Sequence, residues 1–357
     1  MRIAYAVSWD DSKKGRVVSA FAALALMLSL TSTVATQPER SAQMLSVIVR
    51  ELPGAGSGPE QLVEELGGKV SLQLAIIDGF SARIPADALD DLSSSPAIHS
   101  VTEDRPVKML QSTGGTTDAD SAGSMYNIAK SIKSRDLWGE GYTGQGVDVA
   151  LVDTGIFPVD GLNAPEKIDH AVDFSFDQFY DETRFMDGYG HGTHLAGIIA
   201  GKDAGAATEP NNKTSFLGIA PDAGLVNVKV GNGVGSADVS QVIAGIDWVV
   251  THKNDYGLNI RVLNLSFGTD GTQDYRFDPL AYAAEKAWHS GLVVVAAAGN
   301  SGVGNSKLNN PAHDPFLIAV GGVDTKGTFG VDDDVTPEWT ERGDGMRNPD
   351  LVAPGKS

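Results

Sequence analysis

The segment "GVDVALVDTGI", residues 146–156, determines the fold predicted for this chain. Its apolar run ends at Asp153 and is followed by Thr154 and Gly155, as expected for a buried strand that leads into a turn. The segment "GHGTHLAGIIAG", residues 190–201, then places apolar residues three and four positions apart, a period that predicts a helix. A buried strand followed by a helix favours a parallel sheet with helical crossovers.

The same alternation continues toward the C-terminus. Strands are predicted at "LVNVKV", "IRVLNLSF", "LVVVAAAG" and "FLIAVGGV", and helices at "DPLAYAAEKAWHSG" and at "SADVSQVIAGIDWVVTH" with Ser236 as N-cap. Near-continuous apolar strands are typical of a sheet that is buried on both faces. Residues 126–357 are therefore predicted to form a doubly wound, mostly parallel α/β domain. Pro354-Gly355 near its end predicts a tight turn.

A smaller unit precedes this domain. Residues 44–104 show the order β-α-β-β-α-β, with a hairpin-type signal at Asp78-Gly79, which predicts an α+β ferredoxin-like domain over residues 40–108. Residues 109–125 are small and polar and are interpreted as an exposed linker.

The first 35 residues are typical of a secretory signal peptide. Basic residues precede the apolar run "AFAALALMLSL", residues 20–30, and small residues follow it. The run is shorter than the ~20 residues that a membrane span needs, so no stable membrane anchor is expected, although an N-terminal anchor is the alternative. The sequence thus predicts a secreted protein.

Composition excludes several kinds of function. The 357 residues contain no cysteine, so disulfides, thiol catalysis and thiolate metal sites are excluded. The net charge of −19 makes nucleic acid an unfavourable partner, because phosphate backbones and an acidic surface repel each other.

Three polar residues are predicted near the carboxyl ends of strands, where open α/β sheets gather their reactive groups. They are Asp153, His191 and Asn300. Taken singly, each has an ordinary structural interpretation as a turn or cap residue. Together they provide a carboxylate, an imidazole and an amide donor, which acyl transfer needs in addition to a nucleophile.

Four segments resemble motifs of the subtilisin-like serine proteases, the subtilases or peptidase S8 family. They are "ALVDTGI", "GHGTHLAGIIAG", "VVVAAAGN" and "RGDGMRNPDLVAPG", in the order that the family shows. The resemblance implies a subtilisin-like fold and a secreted endopeptidase that acts on proteins and peptides without a required cofactor. It also implies that the unit at 40–108 is a propeptide, which assists folding and inhibits the enzyme within the same chain.

The resemblance assigns roles to the three polar residues. Asp153 would orient His191, His191 would act as general base and acid, and Asn300 would donate to the oxyanion. It also implies a substrate cleft formed by "NGVGS" and "LNLSFG", with substrate-binding residues Gly233, Gly235, Ser236, Leu265, Ser266 and Gly268.

Parts of the chain also suggest other kinds of site. A dinucleotide loop at Gly231, Gly233 and Gly235 would need glycine where Ser236 stands. A zinc pair of His191 and His194 lacks the H-E-x-x-H pattern, and no metal ligand is assigned. The acidic run at residues 332–334 makes calcium possible as a structural ion, with a solvated loop as the alternative.

The nucleophile of the family is not found. Its Gly-Thr-Ser motif does not occur in the chain, and none of Ser266, Ser301 and Ser357 is a convincing substitute. The expectation is a catalytic domain that ends before the serine motif, and a chain that is inactive and poorly folded if made as written. The alternative is a non-catalytic, subtilase-like protein that binds peptides.

Overall fold

A computed structural model describes residues 43–109, 123–206, 212–270, 273–302 and 307–356. The predicted signal peptide and most of the predicted linker lie outside the described residues. No helix in these ranges is both long enough and apolar enough to span a lipid bilayer.

Fourteen strands are assigned within the described ranges. They are β1 (Met44–Glu51), β2 (Lys69–Leu74), β3 (Gly79–Pro85), β4 (Ile98–Glu103), β5 (Pro106–Met109), β6 (Asp148–Asp153), β7 (Ile168–Asp173), β8 (Gly224–Lys229), β9 (Ser236–Asp238), β10 (Ile260–Leu265), β11 (Phe267–Gly268), β12 (Val293–Ala297), β13 (Ile318–Asp324) and β14 (Leu351–Lys356). The α-helices of the same ranges are α1 (Gly58–Glu65), α2 (Leu89–Ser93), α3 (Met125–Ser131), α4 (Ser134–Gly139), α5 (His191–Ala200), α6 (Val239–His252) and α7 (Pro279–His289).

The first four strands form an antiparallel sheet in the order β2-β3-β1-β4. Together with α1 and α2 they follow the β-α-β-β-α-β order expected for residues 44–104. Val47 and Val49 of the central strand β1 face a small core that includes Phe80, whereas Ile48 between them joins the large core of the rest of the chain. Because side chains alternate along a strand, β1 is buried on both faces of this sheet.

The turn between β2 and β3 is tight. Asp78 adopts a left-handed conformation with φ 52°. A Cβ on Gly79 would lie 2.0 Å from the carbonyl oxygen of Val49, so only glycine fits beside β1 at this point.

The second sheet has seven parallel strands in the order β14-β13-β12-β10-β6-β8-β7. The interior strand β6, next to the middle strand β10, is completely buried. Its Ala150 and Val152 pack in the cluster that contains residues of α6 and α7, whereas Val149 and Leu151 pack in the cluster that contains residues of α5. Helices therefore cover both faces, and the predicted doubly wound α/β fold is confirmed.

The third sheet has three short antiparallel strands in the order β11-β5-β9. Strand β5, which was not predicted, lies in its centre. Val107 is opposite Ala237 of β9, and Met109 is opposite Phe267 of β11. The segment that follows the first sheet is thus held as an extended strand between two segments of the larger domain.

Two local predictions were wrong. Ser236 does not cap α6: it begins β9, and Asp238 caps the helix in a capping box with Gln241. Pro354 and Gly355 do not form a turn, since β14 continues through them, with Pro354 opposite Val323 of β13. An edge strand tolerates proline because the missing N–H can point away from the sheet.

The first sheet packs against the helices α6 and α7. The carboxylate of Asp247 on α6 accepts hydrogen bonds from the backbone N–H groups of Ala75 and Ile76. The guanidinium of Arg50 lies 3.7 Å from the ring centroid of Tyr282 on α7. Strand β5 itself is held by its pairing with β9 and β11, which follow the carboxyl ends of β8 and β10.

Candidate active site

Asp153 and His191 form a buried hydrogen-bonded pair. Asp153 is the last residue of β6 and His191 is the first residue of α5, and they are 0% and 4% exposed. His191 Nδ1 lies 2.8 Å from Asp153 Oδ1 and 3.0 Å from Oδ2. The structure therefore brings together two of the predicted site residues, in the geometry by which a carboxylate fixes the tautomer of an imidazole.

Gly192 allows this close approach. A Cβ at this position would lie 2.1 Å from the carbonyl oxygen of Gly155, in the turn that follows Asp153. Any side chain here would push the start of α5 away from β6, so the glycine after His191 is a steric requirement of the pair.

Thr154 links the two elements. Its backbone N–H donates to Asp153 Oδ1 over 2.7 Å, and its hydroxyl accepts from the backbone N–H of Gly192 over 2.9 Å. The residue that follows the carboxylate is therefore bonded to the residue that follows the imidazole.

Asp187 is a further residue of the site that the sequence analysis missed. It is 7% exposed, and its carboxylate accepts five hydrogen bonds, from Thr154 Oγ1, Tyr189 N, Gly190 N, Thr193 N and Thr193 Oγ1. Burial alone would raise the pKa of this carboxyl, but the bonds from Thr193, Gly190 and Thr154 hold the pKa below its ordinary value. An aspartate four residues before the helix-opening histidine was the available signal.

Asn300 lies three residues beyond the end of β12. It lines a cavity of about 530 Å³ together with Met109, Tyr189 and Gly268. Tyr189 belongs to the loop that leads to His191, so Asn300 and this loop line the same cavity.

Glu341 supports the segment around Asn300. Its carboxylate is 1% exposed and accepts from Asn309 N over 3.0 Å and from Ser301 N over 3.4 Å, and its own backbone N–H donates to Gly299 O over 3.2 Å. Nothing in the sequence pointed to this residue, because its donors Ser301 and Asn309 lie 40 and 32 positions earlier.

The predicted cleft segments flank β5. Ser236 of β9 and Gly268 of β11 are both opposite Lys108, one on each side. Gly235 has φ 75° in the loop before β9, and a Cβ there would strike the ring of Tyr189. Gly233 is exposed at the tip of the same loop.

The side chain of Leu265 does not reach the cleft, and a role for this residue in substrate binding through its backbone stays a prediction. Its side chain is 0% exposed in the large core, because the alternation of β10 turns it into the protein. Ser266, the next residue, is half-buried, and its hydroxyl accepts from Asn264 Nδ2. It lines a second cavity, of about 960 Å³, that Asn300 also lines.

The glycine-rich segment before β9 is shaped as a loop rather than as a helix-opening phosphate cradle. The side chain of Asn232 accepts from the backbone N–H groups of Val234 and Ser236, and three residues of β9 separate the loop from α6. In the residues that the structure describes, no three His, Cys, Asp or Glu side chains are grouped as a metal site. The statements on metals and calcium remain predictions.

Comparison with known proteins agrees with the geometry. The subtilase family, peptidase S8, matches residues 144–357. The chain is 33% identical to serine protease AprX of Bacillus subtilis (strain 168) over 83% of this chain and 63% of that protein. It is 34% identical to subtilisin E of the same strain over 74% and 61% of the two chains. An alkaline protease of Alkalihalobacillus alcalophilus is 29% identical over 96% and 80%.

The chain thus matches less than two thirds of the length of the first two relatives. The family match covers more than half of this chain, and it includes all three predicted catalytic residues. The chain belongs to the subtilase family of serine proteases.

Proposed function

We propose that the protein is a secreted serine endopeptidase that cleaves peptide bonds by acyl transfer. The observation that carries this proposal is the buried hydrogen bond of 2.8 Å between His191 Nδ1 and Asp153. With Nδ1 donating to the carboxylate, Nε2 is left as the base that takes a proton from a serine hydroxyl and later delivers it to the leaving amine. Asp153 stabilises the imidazolium that forms in between.

Asn300 is proposed as the oxyanion donor. Its position on the shared cavity supports this role, since the side-chain N–H would face a carbonyl held between β9 and β11. Gly235, Ser236 and Gly268 are proposed to bind substrate as neighbouring strands, in the arrangement that β5 occupies. These steps use only side chains and backbone, so no cofactor is required, and calcium is proposed only as a structural ion.

The first sheet and β5 are proposed to form a propeptide that inhibits the same chain. The pairing of β5 with both cleft strands supports this proposal, because a substrate needs the same backbone groups. Release of this segment would precede activity.

Activity-based labelling tests the catalytic proposal. The printed sequence contains no Gly-Thr-Ser, so the serine must be identified directly. The 357 residues as printed are expected neither to take up a fluorophosphonate probe nor to hydrolyse casein. A form of the protein that contains the Gly-Thr-Ser segment, freed of the first sheet and β5, is expected to carry the label on one serine, found by mass spectrometry of its peptides, and to hydrolyse casein. His191→Ala and Asp153→Asn should remove both signals, whereas Asp203→Asn, on a loop outside the cleft, should keep them. Absence of any His191-dependent label would overturn the proposal.

A second candidate is peptide binding without cleavage. It is favoured by β5 itself, which is bound as an extended strand through backbone pairing, and such binding requires no nucleophile. This candidate is favoured over the endopeptidase if the protein binds peptides stably, takes up no fluorophosphonate label and hydrolyses no peptide.

A further inference from the structure

Asp187 accepts hydrogen bonds from sequence neighbours of both Asp153 and His191. On one side it accepts from Thr154, the neighbour of Asp153. On the other it accepts from Gly190 and Thr193, which flank His191. It therefore joins the end of β6 to the first turn of α5, although it belongs to neither element.

The carboxylate caps α5 in place of the usual N-cap residue. Gly190 stands at the N-cap with φ 97° and has no side chain to offer. Asp187 Oδ1 accepts from Gly190 N over 2.7 Å and Oδ2 accepts from Thr193 N over 2.8 Å, so it satisfies two of the free N–H groups of the first turn. Since His191 is the first residue of this turn, the cap holds its backbone.

Asp187 also determines where the hydroxyl proton of Thr154 points. Thr154 Oγ1 lies 2.8 Å from Asp187 Oδ1 and 3.2 Å from Asp153 Oδ1, and its single proton serves the shorter contact. Asp153 Oδ1 then accepts from Thr154 N and His191 Nδ1 alone. A hydroxyl turned toward Asp153 would compete with His191 for the same oxygen.

We propose that Asp187 is a positioning residue of the catalytic pair, which fixes the distance between β6 and α5 and keeps the Thr154 hydroxyl away from Asp153. This inference rests on the proposed function, because it assigns importance to the Asp153–His191 hydrogen bond. Asp187 itself touches neither substrate nor the reacting atoms in this assignment.

Proton NMR of the full chain with ¹⁵N-labelled histidine tests the proposal without requiring turnover. The His191 Nδ1–H proton should resonate far downfield, and among the seven histidines it can be assigned from its absence in His191→Ala. Asp187→Asn places an amide N–H₂ opposite backbone donors. It is expected to remove this resonance or to speed its exchange with water at least about tenfold.

Asp203→Asn is the matched control. Asp203 Oδ2 accepts from Phe216 N over 2.7 Å on a loop beyond α5, and its change should leave the resonance unaltered. Asp153→Asn should abolish the resonance. If Asp153→Asn has no effect, the proposed catalytic pair fails; if only Asp187→Asn has no effect, the present inference fails alone.

If circular dichroism shows that Asp187→Asn does not fold, Thr154→Val tests the same proposal. It removes the hydroxyl link to Asp187 together with the acceptor of the Gly192 N–H, and leaves the other four bonds to Asp187 in place. A smaller acceleration of the same exchange supports the proposal. An unchanged rate would overturn it, because a merely structural contact would lower stability without moving the His191 signal.

Discussion

The loop before α5 and the loop between β12 and β13 each bury one carboxylate, and the two carboxyls behave in opposite ways. Asp187 is 7% exposed and its pKa is held below the ordinary value. Asp314 is 0% exposed, and burial raises its pKa to about 6. Asp187 receives five donors, whereas Asp314 Oδ1 accepts from Phe316 N and the neighbouring carboxyl of Glu285 raises the pKa of Asp314 further. Donors, and not burial alone, decide which form the fold stabilises.

The largest expected effect is the loss of the Asp187 carboxylate. Asp187→Ala leaves five donors without their acceptor and should lower the free energy of unfolding by about 3 kcal/mol at pH 7, measured by urea denaturation. Asp203→Ala, which removes one bond to Phe216, should cost about 1 kcal/mol. Equal losses in the two variants would contradict the special position of Asp187.

Asp314→Asn should raise the free energy of unfolding at pH 8, whereas Asp187→Ala lowers it at pH 7. The folded-state pKa is raised from 3.8 to about 6, so the native state keeps a proton that the unfolded state loses between pH 4 and 6. The free energy of unfolding therefore falls as pH rises through this window. The amide removes that penalty, and the variant should be more stable than the parent by about 1–2 kcal/mol at pH 8 and no more stable at pH 4. A variant less stable at pH 8 would contradict the assignment.

Glu341→Gln tests the support of the Asn300 segment. The amide cannot accept at both positions, so either the N–H of Ser301 loses this acceptor or the N–H of Asn309 keeps only Ala298 O, at a cost of about 1–2 kcal/mol. Glu338→Gln on the exposed side of the same segment should change stability by less than about 0.5 kcal/mol. Thermal unfolding of both proteins at pH 7 makes the comparison.

The smallest effect concerns coupling within the Asp187 network. Thr154→Val alone should lower the free energy of unfolding by about 1 kcal/mol. In the double variant with Asp187→Ala, the total loss should be smaller than the sum of the two single losses by at least about 0.5 kcal/mol. Additive losses in urea denaturation would show that the Thr154–Asp187 bond contributes nothing of its own.

Local patterns predicted much of this structure. The strand before Asp153, the helix after His191 and the β-α-β-β-α-β order of residues 44–104 follow from apolar periodicity and turn residues, which are properties of short windows. The Asp153–His191 pairing followed from the family motifs together with the rule that reactive groups gather at the carboxyl ends of strands.

The remainder depends on contacts between distant segments. Ser236 was predicted as an N-cap, but Lys108, 128 positions earlier, pairs with it and makes it a strand residue. Pro354-Gly355 was predicted as a turn, yet pairing with β13 extends the strand. Glu341 gained its role from donors 40 and 32 positions earlier, and Asp187 is joined to Thr154, 33 positions earlier, which no local pattern reveals. The side chain of Leu265 is buried because its strand face is set by the sheet.

The placement of β5 has a consequence for any measurement of affinity. Only Asp104 and Arg105 separate it from β4, so the strand is tethered next to the cleft by two residues. A short tether of this kind gives an effective concentration on the order of millimolar. A peptide added to the intact chain therefore competes with β5 of the same chain. Its apparent dissociation constant reports how well it binds relative to the tethered β5. Only chain from which Pro106–Met109 has been displaced will report the intrinsic affinity of β9 and β11.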